Sequence, residues 1–118
     1  MRAKDAVGRY GEDVAARHLE AVGMTVVERN WRCADGEIDI VARHGGVLVF
    51  CEVKTRSSVA FGVPAEAVTP VKAARIRRLA SRYLAEHRPA YGDVRFDVVS
   101  VVRRPRGAAA VEHLRSAF

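Results

Sequence analysis

Apolar positions first recur at helical spacing. Val7, Gly11, Val14, Ala15, His18 and Val22 fall on one stripe between Asp5 and Val22, which predicts a helix, and Gly23 is its natural C′ stop. The pattern then changes to short β-branched and aromatic runs. "MTVVERNWR" (24–32) predicts a strand, "CADG" a turn, "EIDIVAR" a second strand and "VLVFCEVKTR" a third. Gly45-Gly46 between the last two is a hairpin signal. A loop follows at 57–68 with Gly62 and Pro64, and Thr69-Pro70 then opens a second helix as N-cap and N1. Ile76, Leu79, Ala80, Tyr83 and Leu84 form its apolar stripe, with Arg75, Arg78 and Arg82 on another face. "RPAYG" ends that helix, "DVRFDVVSVVRR" (93–104) predicts a further strand, and "AAAVEHL" after the "RPRG" turn predicts a last edge strand.

The order α-β-β-β-α-β-β describes an α/β fold with a mixed central sheet and helices packed on it. The third and fourth strands are joined through a helix, which predicts a parallel pair. Near-continuous apolar runs at 47–53 and 98–102 suit strands buried on both faces. At 118 residues the chain suits one domain, 1–118, large enough to bury roughly two-thirds of its unfolded surface.

Charge inside these apolar strands changes the picture. A two-residue loop at Gly45-Gly46 pairs His44 with Val47. Counting outward, Asp39 falls opposite Glu52 and Glu37 opposite Lys54, with all four side chains on one face. Two opposed carboxylates repel unless a cation lies between them. All-oxygen ligands point to a hard ion, Mg²⁺ or Mn²⁺, flanked by Lys54. The plainer reading has Glu37 neutralising Lys54, with Asp39 and Glu52 diverging into solvent. Spacing alone leaves both open.

Net charge is +6, from 20 Lys+Arg against 14 Asp+Glu, and the bases are mostly arginine. That excess favours a polyanionic partner, though an arginine-rich proteome would also produce it. No apolar h-region and no run approaching a membrane span is present, so the expected setting is cytoplasmic, with no membrane partner. Cys33 and Cys51 show no metal spacing, Cys51 reads as a small core residue, and no disulfide is required at this size. The four histidines have no partner spaced for zinc. Trp31 and Tyr10 read as core residues.

At Asp39 and Glu52-Val53-Lys54 the chain resembles the PD-(D/E)xK, or restriction-endonuclease-like, nuclease superfamily. The proline common before the first acid is replaced by Ile38. A closer and nearly full-length resemblance is to the YraN-like uncharacterised family. It is carried by "GEDVAARHLEAVG", "NWRCADGEIDIV", "VFCEVKTR", "FGVPAEAVTPVKAARI", "RFDVVSV" and "HLRSAF". The chain is also similar to archaeal Holliday-junction resolvases, in which an N-terminal helix adds a glutamate to the metal site; Glu12 matches that position. The resemblance implies a restriction-endonuclease-like fold and Mg²⁺-dependent hydrolysis of DNA phosphodiesters, with branched or structured DNA as substrate. Asp39, Glu52, Glu12 and the Val53 carbonyl would hold the metal, and Lys54 would position water. By analogy with two-fold resolvases it implies a homodimer.

Beside these, Glu37 reads as a supporting acid. Arg56, Arg75, Arg78 and Arg82 are candidate nucleic-acid contacts, each with a solvated-surface reading alongside. The loop from Phe61 to Val68 is a candidate substrate or dimer contact, and Glu66 reads as a surface acid. The competing function is a nucleic-acid-binding module that keeps the fold and does not cleave. A third is an interaction protein with no nucleic-acid role.

Overall fold

The computed structural model describes residues 3–56 and 68–118, with side chains from Ala6 onward. These residues form α1 (Ala3–Ala21), β1 (Thr25–Cys33), β2 (Gly36–His44), β3 (Val47–Arg56), α2 (Pro70–His87), β4 (Asp93–Val102) and β5 (Ala110–Leu114). The order matches the one predicted from periodicity. Of the expected loop at 57–68, residues 57–67, including Phe61, Gly62, Pro64 and Glu66, lie outside the described residues.

The sheet runs β1-β2-β3-β4-β5. Neighbours are antiparallel except β3 and β4, which pair in parallel from Val47↔Asp93 to Arg56↔Val102. These central strands are sealed on both faces. Val49, Cys51, Val99 and Val101 pack with Ala15 and Leu19 of α1, whereas Leu48 and Phe50 pack with Leu79, Ala80 and Tyr83 of α2. Tyr83 stands edge-on to both Trp31 and Phe50, tying α2 to β1 and β3. The helices therefore cover opposite faces. Cys33 and Cys51 are both free thiols.

Each helix has a local device that fixes its position. Gly11 allows α1 to lie against β3: a Cβ there would clash with the Thr55 hydroxyl and stand 2.8 Å from Thr55 Cβ. Thr69 caps α2 by accepting the Lys72 backbone N–H at 3.1 Å, as the Thr-Pro opening predicts.

The sheet changes face at one level. Arg29 meets Asp13 of α1, yet Trp31, two residues on, packs with the α2 core. Opposite them, Ile40 packs with the α1 core and Ile38 with the α2 core. Regular alternation would keep each such pair on one face. Between them lie Asn30, in the left-handed region at φ 54°, and Asp39. A short polar side chain tolerates that conformation better than most.

At the far edge, Asp97 is fully buried and holds β4, β5 and the C-terminal tail together. It accepts two bonds from Arg95 at 2.8 and 2.9 Å, one from His113 at 2.8 Å and one from the Ser116 N–H at 3.1 Å. Burial works to raise its carboxyl, but the bonds from His113, Arg95 and Ser116 outweigh it and hold the group down at about 2. With His113 donating to Asp97, its other ring nitrogen faces His18 of α1 at 3.2 Å.

Candidate functional site

The Gly45–Gly46 turn sets the expected register, pairing His44 with Val47, and the ladder stays regular to Ile40↔Cys51. There it stops. Continuing it would give the Val53 N–H a backbone carbonyl of β2; the N–H instead donates to Asp39 Oδ2 at 2.8 Å. A carboxylate thus closes the hairpin ladder, and the two strands part beyond it. In an extended strand the N–H and C=O of one residue point to the same side, so the Val53 carbonyl faces the gap as well.

The parting corrects the expected register beyond Ile40, since neither Asp39↔Glu52 nor Glu37↔Lys54 is a pair of the ladder. Glu37 is not opposed to Lys54; it bonds Arg32 on β1 at 3.1 Å, its partner in the β1–β2 ladder. Once the ladder has ended at Ile40, the outer turn of β2 belongs to β1 alone.

Glu52 and Lys54 share strand parity with Leu48 and Phe50, which places them on the α2 face. There a cleft of about 310 Å³ opens between β2, β3 and α2. Glu37, Asp39, Glu52, Lys72 and Arg75 are its charged lining, above Ile76 and Leu79. Glu12 approaches from the α1 side. It takes a hydrogen bond from the Asn30 side chain and lies 4.0 Å from Arg29. Asn30 stands at the level of Asp39, so the change of face brings acids from both sides of the sheet toward one carboxylate.

The electrostatics record that convergence. Burial first, and then the charge of Glu52, push Asp39 up to about 7; Glu12 and Glu37 add to this, and the Val53 bond offsets only part of it. Glu12 is also raised, by burial above all, against the Asn30 bond and Arg29. Burial, together with a hydrogen bond and like charge from Lys72, lowers Lys54. Lys72 moves the other way: burial opposes its charge, but the Lys54 bond and Glu52 raise it.

Lys72 is the residue that spacing did not single out. Its Nζ lies 3.1 Å from Glu52 Oε1. The Thr69 cap predicts where α2 starts but not which strand its first turn overlies. Ser100 also escaped notice. It is the parallel-ladder neighbour of Lys54, it is buried, and its hydroxyl has no hydrogen-bond partner among the described residues.

The candidate arginines separate. Arg75 lines the cleft. Arg78 is exposed on α2, and Arg82 is turned toward Asp35 and Glu86, each at 3.4 Å. Arg56 ends β3, where its carbonyl accepts the Arg103 N–H at 2.7 Å.

Asp39, Glu52 and the Val53 carbonyl could supply only oxygen donors, the kind that suits a hard divalent ion. A half-buried carboxylate raised by neighbouring acids is the kind of group a cation relieves. As the side chains stand, no three His, Cys, Asp or Glu residues among those described converge closely enough to ligate a metal. Glu52 is drawn to Lys72, and Glu12 lies beside Asn30 and Arg29.

A family model described as Uncharacterised protein family UPF0102 matches residues 11–101. The chain belongs to the UPF0102 family, which is YraN-like. A UPF0102 protein of Beutenbergia cavernae is 68% identical over 115 residues, covering 98% of each chain. One from Frankia alni is 64% identical over 118 residues, covering all of this chain and 98% of its own. One from Streptomyces griseus is 60% identical over 116 residues, covering 98% of each. The matched region of the UPF0102 model spans Glu12, Asn30, Asp39, Glu52, Lys54 and Lys72. No described helix is long and apolar enough to cross a membrane.

Proposed function

We propose that this UPF0102 protein is a divalent-metal-dependent endonuclease that hydrolyses DNA phosphodiesters, with branched or structured DNA as its substrate. The observation that carries the reading is the end of the hairpin ladder at Asp39. A half-buried, strongly raised carboxylate faces Glu52 across a cleft that also holds basic side chains. Asp39, Glu52 and the Val53 carbonyl would hold Mg²⁺ or Mn²⁺, and Glu12 would complete the shell, directly or through water. The ion would polarise a phosphate oxygen and lower the pKa of a bound water. Lys54 would orient that water or meet the charge that grows on the attacked phosphate. Arg75, on the same cleft, would position the DNA backbone, with Arg56 and Arg78 further out. Arg82 is already engaged by two acids and is the weakest of the four candidates. A cytoplasmic setting and a two-fold homodimer on a two-fold junction go with this reading.

The test is a cleavage screen on single-stranded, duplex, flap and four-way-junction DNA with Mg²⁺ or Mn²⁺. Asp39→Asn and Lys54→Ala should each lower the rate by at least about a hundredfold. Variants that cut as fast as the wild type would end this assignment.

The net charge of +6 supports a second reading, a UPF0102 module that binds nucleic acid and does not cleave. It predicts retention of DNA that falls steeply with salt and is unchanged in Asp39→Asn.

A further inference from the structure

Of the two cleft acids in the proposed donor set, Asp39 and Glu52, Glu52 already has a cation. Lys72 Nζ is 3.1 Å from Glu52 Oε1, and the two side chains are only 24% and 15% exposed. Asp39, by contrast, has the Val53 N–H as its neighbour. Lys72 is fixed at the root and ion-paired at the tip through a flexible side chain. Its backbone N–H is bonded to the Thr69 cap in the first turn of α2, while the ammonium rides on a flexible four-carbon stem. Lys72 and Arg75 both line the cleft, one helical turn apart, so the same face of α2 presents two cations to anything bound there.

We propose that Lys72 is a place-holding cation. It neutralises Glu52 while no metal is bound, is displaced when a divalent ion takes the Glu52 carboxylate, and then binds a phosphate of the incoming DNA beside Arg75. This rests on the metal-site reading above. The physical reason is simple competition. An ammonium and a divalent ion cannot share one carboxylate at contact distance without strong repulsion, and the lysine is the more mobile of the two. The released charge lies where an anion would enter. Metal and DNA then favour each other through one side chain, and the linkage is reciprocal.

The experiment is calorimetric titration with Mn²⁺ alone on wild type, Lys72→Met, Lys72→Arg and Asp39→Asn. Anisotropy of a fluorescein-labelled DNA duplex, with EDTA or with Mn²⁺, accompanies it. Lys72→Met should bind Mn²⁺ at least about fivefold tighter than wild type, because the competing ammonium is gone. Lys72→Arg keeps the charge and should remain near wild type. Mn²⁺ should strengthen DNA binding more in wild type than in Lys72→Met. If Lys72→Met binds Mn²⁺ no tighter, or more weakly, while Asp39→Asn loses it, the place-holding role is overturned and the metal site stands. If wild type and Lys72→Met both fail to bind Mn²⁺, the metal site falls and this role falls with it. Should Lys72→Met melt abnormally, Lys72→Gln repeats the titration with a neutral polar side chain.

Discussion

The Asp39 carboxylate accepts the backbone N–H of Val53 at 2.8 Å, at the point where the β2–β3 ladder would otherwise have continued. One side chain thereby ends a strand pairing and is left half-buried among other acids.

Asp39 makes the protein less stable as pH rises. Its folded carboxyl sits at about 7 against an ordinary 3.8, so the folded state holds the proton to higher pH than the unfolded chain does. Stability therefore falls as pH rises between about pH 4 and pH 7. Asp39→Asn lacks that loss. Thermal melts from about pH 5 to pH 8 should show a falling midpoint for wild type and a flatter one for the variant. Mn²⁺ at the upper pH should restore wild type only. Parallel curves for the two proteins would refute this.

Asn30 should resist replacement for two separate reasons. Its φ of 54° costs a β-carbon residue about 1–2 kcal/mol, and its side chain bonds Glu12. Asn30→Ala should lose that much stability in urea melts, and Asn30→Gly clearly less. Both should raise the Glu12 titration midpoint, followed by carboxyl NMR, because the bond that lowers it is gone. An unmoved Glu12 would show that the bond does not matter.

Gly11→Ala should cost about 1–3 kcal/mol through overpacking against Thr55. A double-mutant cycle with Thr55→Gly separates the clash from the cost of each change. A favourable interaction energy between the two substitutions is expected, and strict additivity would place the strain elsewhere.

Asp97→Ala should be the most damaging of these changes, at about 3–5 kcal/mol, because it strips Arg95 and His113 of a fully buried partner. Asp97 is held at about 2, below its ordinary 3.8, so its contribution is complete above about pH 4 and is lost as pH falls through 2. The gap in unfolding free energy between wild type and variant should therefore narrow in acid. A gap that holds constant down to pH 2 would mean that the carboxylate charge is not what stabilises this corner.

Periodicity and turn chemistry alone determined the element order, the hairpin register near Gly45–Gly46, the Thr69 cap and the parallel β3–β4 pair. These depend on neighbours in sequence, or on the rule that a helical crossover makes strands parallel. The register count remained sound to Ile40↔Cys51 and failed beyond it, at Asp39↔Glu52 and Glu37↔Lys54, because a side chain rather than a backbone group took the next bond. Asp39, Glu52 and Lys54 could be picked out as charge within apolar strands. Lys72 and Asn30 could not, since each acts through an element distant in sequence: α2 lying over β3, and α1 over the β1–β2 kink. The sequence determined which strands would form and which acids they carry. Only tertiary packing decided which cation meets Glu52 and which acids surround Asp39, because burial and proximity are properties of the assembled layers.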